Sequence, residues 1–513
     1  NKEEKVKVVE ELKGQLNDYK SIYLTDIAGL DAMQTSKLRR ECFNSNVKLS
    51  VVKNTFLERA MSESENDFGE LKELLSGNTT IMLSESGNSP AKVIKKFRKD
   101  SEKPILKGAF VDEAIYIGDD KVEALFNLKS NTLLKAVYWF VSISTIPIMV
   151  YSMLNYQNPE SPKYLIIVRA VILSIYLAKS LACIPLFIDD ILRVFRWLYA
   201  ILFPVNATSS GNTSISRLNF LKNLSFIIGS FVFGIMSWGI IYGRFNFKKH
   251  RLAIHLNKWP KELDGLKIIH ISDLHLGSFT STKPIKDVVE LINSEEPDII
   301  MFTGDLINNS YWEADDFISD LSQLKARYGK YSILGNHDYG DYLGIDKNTQ
   351  SGMNKWQSNF NNMIAIHDKI GFDLLLNENR KIEINGSAFN LIGVENWGAG
   401  GFAKYGDFNK SVAGLDSNLS SILLSHDPSH WEHEVIKHPF PVELQLSGHT
   451  HGMQFGIELG SFKWSPAKLR YPQWAGLYEN KEQKIYVNRG LGHLGYAGRV
   501  GIYPEISILK IYS

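Results

Sequence analysis

The sequence predicts an α/β protein in three parts: a small α/β domain, a central membrane-spanning helical region, and a larger C-terminal α/β region. Three observations predict it. Residues 136–154 and 224–242 are two uncharged runs of 19 residues each, enclosed by stretches rich in charge. Before them, short apolar runs alternate with charged amphipathic segments. After them, five short apolar runs each end in a cluster of polar, metal-capable side chains. At 513 residues the chain is too long for one ordinary core. Its formal net charge of +1 argues against bulk polyanion binding but leaves room for a local basic patch. Cys42 and Cys183 lie far apart in segments of different character, which excludes a disulfide framework and a thiolate metal site.

Residues 1–130 form the first part. Val6, Val9, Leu12 and Leu16 recur at helical spacing and predict an amphipathic opening helix. Residues 21–24 and 47–52 read as short strands, with a basic helical pattern over 35–43 between them. Residues 91–99 (AKVIKKFRK) read as a second basic helix, and Gly108–Ala109–Phe110 begins a further strand. No basic-then-apolar signal peptide opens the chain, and there is no initiator methionine.

Residues 131–247 change character. Runs without charge of this length can cross ~30 Å of hydrocarbon, and spans are expected near 133–154, 164–188 and 220–243. The rival reading, a bundle of buried helices in a soluble domain, rarely accommodates two such runs. The middle run carries Arg169, which can snorkel, and Lys179, which needs a partner or a polar cavity. Residues 197–205 are too short to span and are expected at the interface, and residues 206–213 as a polar loop. Residues 248–264, with Lys248, Lys249, His250 and Arg251, are expected as a basic juxtamembrane linker. Positive charge at that end favours a cytoplasmic position for the C-terminal region. Three spans would then put the first part on the opposite side, whereas two would put both parts in the cytoplasm.

Residues 265–513 carry the chemistry. GLKIIHISDLHLG places an apolar strand before Asp273 and His275, and PDIIMFTGDL places one before Asp305. YSILGNHD does so for Asn336, His337 and Asp338, SSILLSHDP for His426, and VELQLSGHTHG for His449 and His451. Strands packed side by side bring such residues to one edge. Carboxylates, imidazoles and one amide suit divalent metals of intermediate hardness, and seven donors exceed what one ion needs. Two cations about 3.5–4 Å apart can lower the pKa of a shared water and neutralise phosphate charge. A lone histidine after a strand is usually a surface or capping residue. Five such clusters in this order are not.

These residues resemble the calcineurin-like metallophosphoesterases over about residues 266–509, with every member of the D-x-H, G-D, G-N-H-D, H and G-H-x-H pattern present. The resemblance implies a four-layer αββα sandwich and two divalent ions (manganese, iron, zinc or magnesium). It assigns Asp273, His275, Asp305 and His451 to one ion, and Asp305, Asn336, His426 and His449 to the other. It implies in-line attack by a metal-bridged hydroxide on a phosphomonoester, phosphodiester or pyrophosphate. His337 then contacts the phosphate and protonates the leaving oxygen, with Asp338 as its orienting neighbour. The Gly-rich run with His493 and the Pro504–Glu505–Ile506 sequence resemble the closing segment of membrane-associated members, with His493 a candidate phosphate contact. The tether suggests a lipid-linked phosphate or pyrophosphate substrate.

Residues 37–60 (KLRRECFNSNVKLSVVKNTFLERA) and the later LKGAFVDEAIYIG resemble the large-subunit ribosomal stalk-base protein, the tenth of that subunit in the conventional count, over residues 1–129. The resemblance implies contact with ribosomal RNA, with Arg39, Arg40, Lys53 and Asn54 as candidates. A solvated helix face is the competing account of these charges. That family continues into a helix that recruits the acidic stalk dimers. Here the resemblance stops near Ser130, so no stalk-dimer recruitment is expected. Both sides of the join look cut, and the chain reads as a chimera of two genes. Two other functional readings remain open at this level: a ribosomal RNA-binding protein with an incidental C-terminal fusion, and a metal-binding membrane protein without turnover.

Overall fold

In the computed structural model the described residues are 2–126, 132–155, 162–202, 214–460 and 462–513. The polar loop expected at 206–213 and the join near Ser130 lie outside them. The chain divides into two compact units, residues 1–144 with 182–228, and residues 145–181 with 229–513.

The first unit opens with α1 (Lys2–Asp18), β1 (Ser21–Asp26), α2 (Ala32–Asn44), β2 (Lys48–Val52) and α3 (Asn54–Glu63). It continues with β3 (Thr79–Ser84), α4 (Ser89–Phe97), β4 (Ile105–Val111), β5 (Ala114–Ile117) and α5 (Val122–Phe126). The strands form an antiparallel sheet in the order β2-β3-β1-β4-β5. Alternation along β1 splits the core in two. Ile22 and Leu24 pack with Leu12 and Leu16 of α1 and Leu57 of α3 on one face. Tyr23 packs with Leu38 of α2 and Ile94 of α4 on the other. The strand β3 and the helix α3 are additions to the sequence reading. Lys53 stands at the N-terminal cap position of α3, and Asn54 and Thr55 begin the helix.

Among the described residues three helices are long and apolar enough to cross a membrane, over Ala136–Leu154, Leu165–Phe195 and Phe220–Phe245. They lie in α6 (Thr132–Leu154), α7 (Leu165–Leu202) and α8 (Ser214–Ile241), the last stretch running on through a 3₁₀ turn to Phe245. Residues 197–202 are not a separate segment but the last turns of α7, beyond the apolar stretch that ends at Phe195, and residues 203–205 lie outside the described residues. Arg169 finds its partner in α6, donating to the carbonyl and hydroxyl oxygens of Ser152 at 3.2 Å.

The C-terminal part comprises β6 (Lys248–His255), β7 (Leu266–Ile271), α9 (Lys283–Asn293), β8 (Ile299–Phe302), α10 (Ile318–Leu321), β9 (Lys330–Ser332), α11 (Gln350–Ile370) and β10 (Asp373–Leu374). There follow β11 (Glu378–Ile384), β12 (Ser387–Gly393), α12 (Phe408–Ser411), β13 (Ser421–Leu424), α13 (Ser429–His433) and β14 (Leu444–Ser447). The chain closes with β15 (Ile457–Leu459), β16 (Phe462–Trp464), β17 (Gly476–Asn480), β18 (Gln483–Val487) and β19 (Glu505–Tyr512). Two six-stranded sheets result, ordered β10-β9-β8-β7-β19-β6 and β11-β12-β13-β14-β18-β17. Ile268, Met301 and Leu509 of one meet Leu391, Ile422 and Leu444 of the other in a shared core. Helices α9 and α11 cover the outer face of the first sheet, and α12 and α13 that of the second. This is the four-layer αββα sandwich.

The linker expected at 248–264 is a second correction. Residues 248–255 are the edge strand β6, parallel to β19. Its basic side chains are those of a charged edge, which blocks further strand addition, and Lys249 and Arg251 pair with Glu295 at 2.6 and 2.7 Å.

Candidate metal centre

Strands β7, β8 and β9 run parallel in one sheet and β12, β13 and β14 in the other. Parallel strands put their carboxyl ends on one edge, and the five sequence clusters begin there. Asp273, His275, Asp305, His449 and His451 all have left-handed backbone, with φ between 48 and 70°. This conformation is costly for residues other than glycine and is concentrated at functional sites. It lets each loop double back over its strand end and aim a side chain into the crevice. Gly448 permits one close crossing, since a Cβ there would stand 1.9 Å from Ser272 Oγ and 2.2 Å from Asp273 Oδ2.

Two donor groups result, Asp273 with His275 and His451, and Asp305 with His426 and His449, each with ligand atoms within 4.8 Å of one another. They are not separate. Asp305 Oδ2 lies 3.1 Å from His426 Nε2 and 3.5 Å from His275 Nε2, so the carboxylate stands between the groups. Asn336, the remaining candidate, is buried and its Oδ1 has no hydrogen-bond partner.

These groups fit divalent cations on three grounds. First, His275 Nε2 and His451 Nε2 approach to 2.9 Å, and His451 Nε2 lies 3.1 Å from Asp273 Oδ1. Donors in adjacent positions around an ion with ~2.1 Å bonds are separated by about 3 Å. Second, three imidazoles are fixed by their other nitrogen, as metal-ligating histidines are. His275 Nδ1 donates to Asn308 Oδ1 at 3.0 Å, His426 Nδ1 donates to the Thr303 carbonyl at 2.6 Å, and His449 Nε2 lies 2.9 Å from the Tyr471 hydroxyl. Third, the protonation pattern is that of a site built for positive charge. Burial holds His275 down to about 3 and His449 down to about 4, so both are neutral donors. Burial works to raise Asp305 but is outweighed by His426 and its neighbours, which keep it well below the carboxylate range. Burial also works against charge on His426, yet the Asp305 carboxylate lifts it to about 10. A proton on His426 stands where a bound cation would displace it.

His337 is half-buried beside this cluster. Its Nδ1 donates to the Asn308 carbonyl at 2.6 Å, its ring leans on Tyr342 at 4.5 Å, and its backbone N–H donates to Asp305 Oδ1 at 2.9 Å. Nε2 is the ring nitrogen left to meet a ligand.

Asp338 does not orient His337, contrary to the expectation. Its buried carboxylate accepts backbone N–H groups of Gly335, Asp305, Leu306 and Ile307 at 2.8–3.2 Å. It ties two ligand loops together, and the orienting group is the Asn308 carbonyl. The His493 ring is buried against Phe279, 3.5 Å from Arg244 Nη1 and within electrostatic reach of His275. In the first unit Arg39, Arg40 and Lys53 are exposed, while Asn54 Nδ2 donates to the Gly77 carbonyl at 2.9 Å.

Sequence reasoning missed Asn308, Tyr342, Tyr471 and Arg499. Asn308 follows Asp305 by three residues and was within reach of inspection, but the tyrosines arrive from loops without a motif. Arg499 is fully buried, donating to the Gly490 and Gly492 carbonyls, with Nη2 3.3 Å from His451 Nδ1. Its backbone N–H donates to the Gly239 carbonyl of α8 at 3.2 Å, and the Tyr496 hydroxyl donates to the Met236 carbonyl. One side chain therefore separates an apolar helix from a metal-capable histidine.

Comparison with known proteins finds three family matches: "Ribosomal protein L10" over residues 1–99, "Probable Calcineurin-like phosphoesterase, transmembrane domain" over 114–244, and "Calcineurin-like phosphoesterase" over 266–453. The large ribosomal subunit protein uL10 of Christiangramia forsetii is 64% identical over 129 residues, covering 25% of this chain and 75% of that protein. The uncharacterized metallophosphoesterase YkuE of Bacillus subtilis is 31% identical over 311 residues, covering 58% of this chain and 98% of that protein. The UDP-2,3-diacylglucosamine pyrophosphatase LpxG of Chlamydia trachomatis is 31% identical over 283 residues, covering 47% of this chain and 82% of that protein.

Proposed function

The chain belongs to the calcineurin-like phosphoesterase family in its C-terminal part and to the ribosomal L10 family at its N-terminus, and from that premise we propose that it hydrolyses a lipid-linked phosphodiester or pyrophosphate at the membrane surface. That it is a membrane-associated, metal-dependent phosphoesterase fused to an L10-type domain follows from the family itself. The substrate, the ligand set and the topology are the proposal.

Asp273, His275, Asp305 and His451 would hold one divalent ion, and Asp305, Asn336, His426 and His449 the other. Two such ions supply an activated water at neutral pH and positive charge for the phosphate oxygens. The chain's own residues do the rest. His337, with Nδ1 fixed on Asn308, presents Nε2 to a phosphate or leaving oxygen and can deliver a proton there. Asp338 keeps the loops bearing Asp305 and Asn336 in register. Zinc and iron fit the imidazole-rich donor set by chemistry and manganese fits its carboxylates, whereas magnesium, which prefers oxygen donors throughout, fits it least.

The observation that carries the lipid-linked reading is the contact of Arg499 with both His451 and α8. Met236 and Ile240 of the apolar span pack against Tyr496 and Ala497 of the catalytic loop, which supports a crevice at headgroup level. LpxG, whose name gives it an acylated sugar nucleotide as substrate, supports a pyrophosphate. Residues 131–247 with α6 to α8 are read as the membrane region, residues 1–130 as the RNA-binding domain and 248–513 as the catalytic domain in the cytoplasm; contact of residues 1–130 with ribosomal RNA from the same side requires that two of the three helices cross, and three crossings would remove it.

The test uses the purified full chain in detergent with manganese and an aryl phosphodiester. Turnover lost on Asp305→Asn is the expected result. No turnover in either protein, with metal bound, would favour a non-hydrolytic metal-binding membrane protein. A second activity is favoured by the extent of similarity to uL10: residues 1–130 contact ribosomal RNA through exposed Arg39, Arg40 and Lys53. Co-sedimentation with large subunits, weakened by Lys53→Ala and by salt, tests it.

A further inference from the structure

The hairpin of β15 and β16 is built inside out. In its register Ile457 stands opposite Trp464, Glu458 opposite Lys463 and Leu459 opposite Phe462. Side chains alternate along a strand, and directly opposed residues share a face. Ile457, Leu459, Phe462 and Trp464 therefore lie on one face, with Glu458 and Lys463 on the other. The charged face turns inward: Glu458 accepts from Arg489 Nε at 3.0 Å, and Lys463 Nζ donates to the Ala475 carbonyl. The apolar face turns outward, with Leu459 72% and Phe462 59% exposed. A hairpin bathed in water shows the reverse, with polar side chains outward and apolar ones on the core.

This is not scattered surface apolarity. Among the described residues, six of the eight exposed large apolar side chains after residue 245 fall between Met453 and Leu469. Such concentration marks an interaction surface. What covers it is indicated by where it is rooted. Phe455, two residues before β15, packs with Tyr496 and Val500 onto Met236 and Ile240 of α8. From Met236 to the end of α8 at Ile241 is five residues, ~7.5 Å of helix. The root is therefore within about the thickness of one interfacial layer of the span's end. Exposed Lys468 and Arg470 flank the patch and can reach lipid phosphates.

We propose that the β15–β16 hairpin dips into the lipid bilayer beside α8, with Ile457, Leu459, Phe462 and Trp464 in the headgroup–acyl boundary. The inference rests on α8 being a membrane span. Its place in the chain gives it a consequence for the site. It joins His451 to Tyr471, whose hydroxyl meets His449, so an immersed hairpin holds one lip of the crevice at the lipid surface. An amphiphile could then present its phosphate to the site without leaving the bilayer.

The test is a depth measurement on the full chain in phosphatidylethanolamine–phosphatidylglycerol vesicles, with Cys42 and Cys183 replaced by serine. Nitroxides are attached singly at Leu459→Cys and Phe462→Cys, and their collisions with oxygen and with a water-soluble nickel chelate are compared. Phe226→Cys on α8 gives the lipid reference, and Glu383→Cys on β11 the aqueous one. The expected result is that both hairpin labels resemble Phe226→Cys, with nickel collisions several-fold below those at Glu383→Cys. Hairpin labels as open to nickel as Glu383→Cys, while Phe226→Cys is shielded, would overturn the proposal and leave the span intact. Shielding accompanied by dipolar broadening between labels would identify a second copy as the occupant and also overturn it. Nickel access at Phe226→Cys itself would remove the span and the hairpin reading with it.

Discussion

Gly448→Ala tests the metal centre without replacing a ligand. The new Cβ would stand 1.9 Å from Ser272 Oγ, 2.7 Å from Ser272 Cβ and 2.2 Å from Asp273 Oδ2. Ordinary carbon contacts lie at about 3.5–4.0 Å, so relief requires a shift of more than ~1 Å. Neither side yields easily. Ser272 is held by Thr303 Oγ1 at 2.8 Å and by Leu491 N–H on its carbonyl at 2.9 Å, and both Asp273 oxygens receive His449 N–H. Metal bonds tolerate about ±0.2 Å, and a misplacement of ~1 Å in a catalytic site costs on the order of 100-fold. We expect kcat/KM with manganese and an aryl phosphodiester to fall by about 100-fold, ~2.7 kcal/mol of activation free energy. Metal analysis should show loss from the Asp273–His275–His451 group. The melting temperature with chelator present should change little, which separates a ligand shift from unfolding. A variant with wild-type turnover and wild-type metal content would refute the crossing of these two loops as described.

Asn308→Ala removes the acceptor of His275 Nδ1 while leaving the backbone carbonyl under His337; we expect a 10- to 100-fold loss of metal affinity, read by manganese titration. In the turn just after α8, a Cβ at Gly243 would meet the Arg499 carbonyl at 2.0 Å, whereas one at Gly234 on α8 meets nothing within 4 Å. Gly243→Ala should therefore lower turnover by roughly 10-fold, within the range of supporting-residue effects, while Gly234→Ala leaves it unchanged. Glu313 is pushed up to about 7 from 4.5 by burial, against the N–H groups of Asn308, Ser310 and Asn309. A carboxyl raised on folding favours the folded state below its unfolded pKa, and that contribution is lost as pH rises through the folded value. The loss between pH 4.5 and 7 is up to about 3 kcal/mol. Compared with Glu313→Gln, the wild-type Tm should fall between pH 5 and 8, and parallel curves would refute the shift.

Only part of this architecture could be read along the chain. The ligand clusters are legible because each sits where an apolar strand stops, and a strand end is a local event written in adjacent residues. The apolar spans are legible for the same reason, as composition over a window. Residues 248–255 were misread because a charged edge strand and a basic linker have the same composition. Only its pairing with β19, from the far end of the chain, distinguishes them. Asp338 was misassigned because adjacency to His337 in sequence suggested contact, while its carboxylate turns to the backbone of the preceding motif.

The sequence alone determined which donors exist, in what order, and that they converge beyond parallel strands beside apolar helices. It could do so because periodicity and strand ends are properties of neighbouring residues. Tertiary structure alone decided that Asn308 holds two histidines, that Tyr471 holds a third, and that Arg499 connects His451 to α8. It also decided that the face of β15 and β16 opposite their charges looks away from the protein. These are contacts between segments tens to hundreds of residues apart, and no local pattern encodes which distant loop will supply the second nitrogen of an imidazole with its partner.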